Sequence, residues 1–327
     1  MSDHLPRNLG LDIVRATEAA ALSAGRWIGL GSRDRAYHAA VEAMASVLET
    51  IEMNGHIAIG EEGRLGEHSP LDTNRRVGTG RGPELDVVVN PIDGTNLVAR
   101  GHPGAISVVG VAPRGALWSP APAVYMDKIV VDGEVASFLV PECMGAPAAW
   151  VLGLVARIKK KAVRDLVVFV LERPRHADLI EEIRAAGARI LLRSDGDIGG
   201  AIMAADPKIA VDMLMGIGGA AEGIIAACAV KALGGAMLAR LSPQSDEERV
   251  AVKAARLDME RVLTCDDIVE SQQNFFAATG ITDSLLLSGV RYYGRLTETD
   301  SLVLRSETHT LRRIHAEHVV DSDGSQA

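Results

Sequence analysis

Short apolar runs of the kind that form strands occur together with helical segments in this 327-residue chain, and the two alternate in its second half. The run 85–89 predicts a strand, whereas the apolar spacing in 11–28 and the apolar stretch 220–232 predict helices. Such alternation is typical of α/β proteins, in which helices cover the faces of sheets, so the sequence predicts a layered α/β architecture. The same patterns predict further strands at 57–59, 105–111, 128–131, 166–171, 188–192, 209–213, 301–305 and 308–315, helices at 36–52, 177–186, 198–204 and 239–261, and a loop at 63–84.

The composition excludes several classes of protein. Hydrophobic residues make up 47% of the chain and charged residues 24%, as expected of a globular protein rather than a disordered one. Aromatic residues are only 3%, so the core must be aliphatic, and stacking platforms for single-stranded nucleic acid are not expected. The formal net charge is -9 and no extended basic block occurs, so we expect no nucleic-acid partner.

The sequence also predicts the compartment of the protein. The three cysteines, Cys143, Cys228 and Cys265, are far apart, so neither a disulfide framework nor a thiolate zinc site is expected. Residues 1–10 lack an apolar signal core, and the apolar stretches end well before the ~20 residues that a membrane span needs. We therefore expect a cytoplasmic protein without membrane association.

Acidic residues follow two of the predicted strands. Glu61 comes directly after the strand at 57–59, and Asp93 and Thr95 follow the strand at 85–89. Carboxylates at such junctions project from a sheet edge and suit hard, oxygen-ligated cations such as Mg²⁺ or Mn²⁺. These cations neutralise phosphate oxygens and acidify a bound water, which a threonine hydroxyl could orient. The alternative is a turn at 91–94 that merely links a strand to a loop.

Glycine is concentrated just before the apolar helix at 220–232. The segment 215–223 predicts a turn whose backbone N–H groups, at a helix N-terminus, could bind a phosphate, and Glu222 in the first turn could face a metal. The alternative is a tight turn followed by a glutamate that the helix dipole favours.

Three further segments contain side chains that could bind phosphate or sugar hydroxyls. Arg173, Pro174 and Arg175 form a rigid basic turn that suits a phosphate distant from the cleaved one, or a basic surface turn without a ligand. The segment Asp195-Gly196-Asp197 predicts either carboxylates that bind sugar hydroxyls or a helix N-cap with an acidic first turn. The Tyr125 hydroxyl could contact a phosphate, or the ring could simply be buried.

Taken together and in order, these segments resemble the class II, GlpX-type fructose-1,6-bisphosphatases. The resemblance runs from about residue 10 to residue 318. The matching segments are Thr17-Glu18, Ile59-Gly60-Glu61, Val77-Gly78-Thr79-Gly80-Arg81-Gly82, Pro91-Ile92-Asp93-Gly94-Thr95, Tyr125-Met126-Asp127-Lys128, Pro174-Arg175-His176, Asp195-Gly196-Asp197, Gly216-Ile217-Gly218-Gly219-Ala220 and Ala278-Thr279-Gly280-Ile281-Thr282.

The resemblance implies a member of the lithium-sensitive phosphatase superfamily, with a layered αβαβα sandwich of the sugar phosphatase and inositol monophosphatase type. The implied reaction removes the 1-phosphate of fructose 1,6-bisphosphate with Mg²⁺ or Mn²⁺, and some relatives also accept sedoheptulose 1,7-bisphosphate. The family tendency implies a homo-oligomer, either a dimer or a tetramer. By this match Glu61, Asp93 and Glu222 fall on metal positions, and Glu61, Asp93 and Thr95 on catalytic ones. The substrate positions are Asp93, Gly94, Thr95, Tyr125, Arg173, Pro174, Arg175, Asp195, Gly196, Asp197 and Gly219.

The resemblance also suggests a division of the chain. We expect an N-terminal half, 1–150, to carry the acidic metal loops, and a C-terminal half, 151–318, to carry the sugar-phosphate contacts. A polar tail follows at 319–327.

Two residues depart from the family pattern at the metal positions. Tyr37 and Asn90 stand where the family has ligand aspartates, although Asn90 could still offer a carbonyl oxygen to the metal. Asp34, one helical turn before Tyr37, and Glu62, beside Glu61, could supply other carboxylates. The departures keep two alternatives open: a diverged phosphatase for another sugar or cyclitol phosphate, and a catalytically impaired relative that binds sugar phosphate.

Overall fold

A computed structural model describes residues 5–61 and 68–319 of the chain. The chain forms two compact units, the first made of Met1–Ala116 and Ser271–Ala327 and the second of Leu117–Glu270. These boundaries differ from the division after residue 150 that the sequence led us to expect. The first unit contains both ends of the chain because strands from the two ends pair in one sheet.

The described residues form an α/β fold, as predicted. None of the helices found there combines the length and the apolar character that crossing a bilayer requires. In chain order these helices are α1 (Leu9–Gly25), α2 (Arg33–Leu48), α3 (Thr95–Arg100), α4 (Ala148–Lys159), α5 (Ala177–Ala185), α6 (Asp197–Ala205), α7 (Ala220–Leu233), α8 (Asp246–Ala254) and α9 (Cys265–Ile268). The strands are β1 (Asn54–Ile59), β2 (Arg76–Val77), β3 (Glu84–Asp93), β4 (Ile106–Pro113), β5 (Tyr125–Val131), β6 (Val167–Leu171), β7 (Arg189–Arg193), β8 (Met213–Gly219), β9 (Ala236–Leu241), β10 (Leu263–Thr264), β11 (Phe275–Gly280), β12 (Arg291–Tyr293), β13 (Leu296–Arg305) and β14 (Thr310–Val319).

The first unit contains a mixed eight-stranded sheet in the order β12-β13-β11-β4-β3-β1-β2, with β14 also paired to β13. Strands β1 and β3 are parallel, and the others pair antiparallel. Helix α1 packs against β4, β11 and β13, because its apolar residues, such as Ile13 and Ala20, recur on one face and are buried there. Strand β3 is buried along almost its whole length, so it lies at the centre of the core.

The second unit contains a six-stranded sheet in the order β10-β9-β5-β8-β6-β7. Successive strand residues face opposite sides of the sheet. Ile129 and Val131 of β5 join the core beneath α4, whereas Lys128, directly before Ile129, lies on the opposite face, which carries α6 and α7. Helix α6 is buried at every position, which explains why its sequence after Asp197 is apolar all round.

Two predictions of secondary structure were wrong. The strand expected at 209–213 begins only at Met213 and continues through the glycine-rich segment to Gly219. The helix expected at 239–261 is instead the end of β9 followed by the shorter helix α8. In both places pairing with β5 prevails over local preference, because β5 hydrogen-bonds to β8 on one side and to β9 on the other. Helices α3, α4 and α9 and strands β10, β11 and β12 were not predicted, and the loop expected at 63–84 contains the short strand β2 in the part that the structure describes.

A buried polar network joins α1 to the sheet of the first unit. The Thr17 hydroxyl lies 2.7 Å from that of Thr279, which lies 2.8 Å from that of Ser301. Next to Thr17, Glu18 is also buried, and burial raises the pKa of its carboxyl group to about 7, although Arg15 and a hydrogen bond with Ser301 act in the opposite direction. Glu18 is therefore half protonated near neutral pH.

This raised pKa predicts a pH-dependent cost of folding. The folded protein holds a proton on Glu18 between its ordinary pKa of 4.5 and about 7, where the unfolded chain has lost it. Stability therefore falls as the pH rises through this range. We expect Glu18→Gln to raise the free energy of unfolding at pH 8 by up to about 3 kcal/mol, and to change it little at pH 4.5. Urea unfolding of both proteins at the two pH values measures this, and an equal difference at both would contradict it.

Candidate active site

Glu61 and Asn90 are carried to the same end of the first sheet by neighbouring parallel strands. Ile59 of β1 pairs with Val88 of β3, so Glu61 and Asn90 each follow two residues later. Glu61 is 2% exposed, Asn90 1% and Asp93 5%. Glu61 thus lies just beyond the end of β1, whereas Asn90 and Asp93 belong to the last residues of β3 itself, which extends to Asp93 rather than ending at residue 89 as expected. All three oxygen-bearing side chains are almost fully buried.

The backbone at Glu61 is tightly held. A Cβ atom on Gly60 would lie 2.2 Å from the carbonyl oxygen of Leu71, so only glycine fits there. The N–H of Gly60 donates to Thr73 Oγ1 at 3.0 Å, and the N–H of Glu61 donates to the Leu71 carbonyl at 3.1 Å. These contacts fix the backbone of Glu61 and therefore the direction in which its side chain leaves the chain.

A β-bulge re-aims the end of β3. Asn90 pairs with Val108 of β4 and Asp93 with Ile106, so β3 has one more residue than β4 over this stretch. Gly94 then takes a left-handed conformation, with φ of 96°, and α3 begins at Thr95. The Thr95 hydroxyl donates to the Ile92 carbonyl over a long 3.4 Å. Bulges of this kind are common beside active sites because they change where side chains point.

The two residues that depart from the family pattern belong to this same region. Tyr37 of α2 is buried, and its hydroxyl donates to the backbone carbonyl of Glu61 at 3.4 Å. Asn90 Oδ1 is buried and accepts no hydrogen bond from any of the described residues. Asp34, one turn before Tyr37, is exposed. Glu62, the other carboxylate expected to compensate, lies outside the described residues.

The side chains at this end of the sheet fit a hard divalent cation. Carboxylate and amide oxygens are the donors that Mg²⁺ and Mn²⁺ take in proteins. A buried amide oxygen that lacks a hydrogen bond is costly, and a cation would satisfy it. Asn90 Oδ1 is such an atom, and it lies on the strand that ends in Asp93. The oxygen atoms of Glu61, Asn90 and Asp93 are therefore suited to bind such a cation.

In the second unit, the glycine-rich segment is a strand rather than a phosphate-binding turn. Strand β8 pairs with β5 over seven residues, from Val131↔Met213 to Tyr125↔Gly219. Its glycines leave room for polar side chains. A Cβ atom would lie 2.9 Å from His176 Nε2 at Gly216, 2.0 Å from Asp197 Oδ2 at Gly218, and 1.8 Å from Glu222 Oε2 at Gly219. The expected turn was therefore wrong, although Glu222 does lie in the first turn of α7.

The carboxylates of Asp195 and Asp197 pair with two different basic side chains. Asp195 accepts from Arg173 Nη2 at 2.7 Å, and Asp197 Oδ2 accepts from Lys128 Nζ at 2.6 Å. Gly196, in a left-handed conformation, is the N-cap residue of α6, so neither aspartate is the N-cap residue. Lys128 is fully buried, and the sequence assigned it no role. The available signal was a lysine inside an apolar strand, since such a lysine needs a buried anion.

Arg175 is oriented by the backbone and by an aromatic ring. Its Nε and Nη2 donate to the Ile217 carbonyl at 3.2 and 2.9 Å, and its guanidinium carbon lies 4.9 Å from the centre of the Tyr125 ring. Burial lowers the pKa of Arg175 from its ordinary value, but this group stays charged at neutral pH. The second unit thus carries Tyr125 and Lys128 on β5, Arg175 in the turn that follows β6, and Asp197 at the start of α6.

A group of three metal-binding side chains also occurs on the β13–β14 hairpin. Ligand atoms of Glu298, His315 and Glu317 all lie within 4.8 Å of one another. The latter two residues are exposed. Exposed acidic groups commonly approach one another in this way without a cation, so this group by itself does not indicate a metal site.

Comparison with known proteins agrees with these observations. The family model for bacterial fructose-1,6-bisphosphatase, glpX-encoded, matches residues 7–318. The chain is 37% identical to the fructose-1,6-bisphosphatase class 2 of Haemophilus influenzae, over 96% of this chain and 97% of that protein. It is 36% identical to the fructose-1,6-bisphosphatase 1 class 2 of Escherichia coli K12, over 96% of each protein.

Proposed function

The chain belongs to the family of bacterial, GlpX-type class II fructose-1,6-bisphosphatases, and we propose that it removes the 1-phosphate of fructose 1,6-bisphosphate to give fructose 6-phosphate. It is thus a phosphoric monoester hydrolase that depends on a divalent metal. The observation that carries the proposal is the match over residues 7–318, because it spans both the acidic strand ends and the basic turn. Relatives that match over nearly their full lengths favour this function over a phosphatase for another sugar or cyclitol phosphate.

Glu61 and Asp93 would hold the cation, with Asn90 adding a neutral carbonyl oxygen. When bound, Mn²⁺ or Mg²⁺ supplies positive charge that offsets the phosphate oxygens and acidifies a water molecule. Burial of the three side chains excludes competing water and so strengthens their attraction for a cation. Glu222 belongs to the second unit, and its role as a further ligand stays a prediction.

Thr95 and Gly94 would orient the reacting groups. The long hydrogen bond from the Thr95 hydroxyl to the Ile92 carbonyl is weak, so a water can replace it as the partner of Oγ1. Oγ1 would then hold that water by a hydrogen bond, while the left-handed Gly94 lets the backbone turn sharply beside Asp93. Positioning of this kind lowers the entropy that the reaction has to lose.

The basic turn of the second unit would bind a phosphate of the substrate. Arg173 and Arg175, on either side of Pro174, suit the phosphate that is not cleaved, and the Tyr125 hydroxyl could contact the same phosphate. Arg173 is paired with Asp195, so phosphate binding would exchange one anion for another. Such an exchange releases the Asp195 carboxylate for a sugar hydroxyl. The other proposed substrate residues are Gly196, Asp197 and Gly219.

Two further properties are part of the proposal. All three cysteines are buried in the described part of the chain and none forms a disulfide there, which supports a reducing cytoplasm. We also propose a homo-oligomer, either a dimer or a tetramer, by analogy with the family alone.

The test is an assay of phosphate release from fructose 1,6-bisphosphate with Mn²⁺ or Mg²⁺, alongside a panel of other sugar and cyclitol phosphates. We expect the bisphosphate to be the best substrate and chelation to abolish the activity. Asp93→Asn keeps the shape of the side chain but removes its charge, and it should lower kcat/KM by more than about 100-fold. Release from another substrate alone would support the diverged phosphatase. Binding of fructose 6-phosphate without any release would support the catalytically impaired relative.

A further inference from the structure

The imidazole of His176 spans a gap between two strands of the second sheet. Strands β6 and β8 are parallel, but they pair only at Val168↔Met213 and Phe169↔Leu214. Beyond these pairs the backbone ladder stops, and the gap is lined by His176 together with residues of both strands. Gly216, with φ of 126°, has no side chain to occupy the space that the His176 ring fills.

Both ring nitrogens of His176 bond to the backbone of these strands. Nδ1 lies 2.6 Å from the Leu171 carbonyl oxygen at the end of β6, and Nε2 accepts the Ile217 N–H of β8 at 2.8 Å. Because Nε2 is an acceptor, the proton must be on Nδ1, which donates to Leu171. The side chain is 2% exposed, so neither bond is shared with bulk water. The neutral ring therefore replaces the ladder hydrogen bonds that the separated strands cannot make.

One residue of β8, Ile217, connects His176 to Arg175. The Ile217 N–H donates to His176, and the Ile217 carbonyl accepts both contacts from the Arg175 guanidinium. Arg175 directly precedes His176 in the chain, so the two side chains and this one residue of β8 form a closed loop. The guanidinium uses Nε and Nη2 on Ile217 and lies over the Tyr125 ring, which leaves the Nη1 donors for a ligand.

We propose that His176 is a positioning residue for phosphate recognition: it fixes the Ile217 carbonyl, which in turn fixes the plane of the Arg175 guanidinium. This inference rests on the proposed function, in which Arg175 binds the phosphate that is not cleaved. A guanidinium that is already oriented loses less side-chain entropy when it forms hydrogen bonds to phosphate oxygens. His176 touches neither the substrate nor the reacting atoms in this scheme, and its effect passes through Arg175.

Two variants separate the roles of His176. His176→Phe keeps a ring but loses both hydrogen bonds, whereas His176→Gln keeps an amide oxygen that can accept from Ile217. We expect His176→Phe to weaken fructose 6-phosphate binding, measured by calorimetry, by roughly 10-fold, and to raise the KM for the bisphosphate by a similar factor with little change in kcat. His176→Gln should restore most of the affinity. Equal losses in the two variants would overturn the proposal.

A double-mutant cycle with Arg175→Met tests whether the effect passes through the guanidinium. In the Arg175→Met background, His176→Phe should cost less than about 2-fold in affinity, because nothing remains to be oriented. If the two losses multiply independently, or if His176→Phe lowers kcat as much as it raises KM, His176 does not act through Arg175 and the inference is overturned. A wild-type protein that neither binds fructose 6-phosphate nor hydrolyses the bisphosphate overturns the proposed function as well. Thermal unfolding of each variant excludes those that have not folded.

Discussion

Replacing Lys128 by methionine is expected to lower the free energy of unfolding by about 3–5 kcal/mol, because it leaves a buried carboxylate without its cation. Lys128 Nζ and Asp197 Oδ2 are 2.6 Å apart, and their side chains are 1% and 10% exposed. Methionine has nearly the volume of the lysine stem, so the loss comes from the charge and not from a cavity. Urea unfolding that reports on the second unit measures the change.

The chain contains a control for this prediction. Arg184 and Glu181 also form an ion pair, at 3.1 Å, but their side chains are 58% and 75% exposed. Arg184→Met should therefore cost less than about 1 kcal/mol, since exposed pairs contribute little. The double variant Lys128→Met, Asp197→Asn should be more stable than Lys128→Met alone, because the uncompensated charge is gone. Equal costs at Lys128 and Arg184 would contradict the buried-pair explanation.

The elements whose apolar residues recur regularly could be predicted from the sequence. Helices α1 and α7 and strand β6 were expected close to their observed bounds, because each buries a face or a run that the pattern makes visible. Strand β3 was expected from the same kind of run, but with its end four residues too early. Strand β8 could not be found in this way. Its glycines have a low preference for strands. Two of them, Gly216 and Gly218, are required by His176 and Asp197, which come from other parts of the chain.

The site could be predicted to the extent that it follows from strand ends. The sequence predicted that acidic residues follow the strands at 57–59 and 85–89, but it did not predict that β1 and β3 pair in parallel, which carries Glu61 and Asn90 to one end of the sheet. The contact between Tyr37 and the Glu61 carbonyl depends on how α2 packs, so no local pattern contains it. The pairing of Lys128 with Asp197 could not be predicted either, because the two residues are 69 positions apart in the sequence and meet only through the fold.

Substitution of Asn90 and Tyr37 by aspartate tests how the two departures from the family pattern change the affinity for the metal. Asn90→Asp adds a negative charge beside Glu61 and Asp93, and ligand charge strongly tunes the affinity of such sites for divalent cations. We expect Asn90→Asp to tighten Mn²⁺ binding by roughly 10-fold, and the double variant Tyr37→Asp, Asn90→Asp by roughly 100-fold. Calorimetric titration with Mn²⁺ alone measures this without any assay of activity.

The sign of the stability change gives an independent check. Without metal, a third or fourth buried carboxylate repels its neighbours, so both variants should melt below the wild type. With Mn²⁺ well above its dissociation constant, binding to the folded state should reverse that order. Tyr37→Phe is the matched control, because it removes only the hydroxyl that contacts the Glu61 carbonyl and adds no charge. If Asn90→Asp neither melts lower without Mn²⁺ nor binds it more tightly, Asn90 does not face the cation, and the orphaned Oδ1 atom needs another explanation.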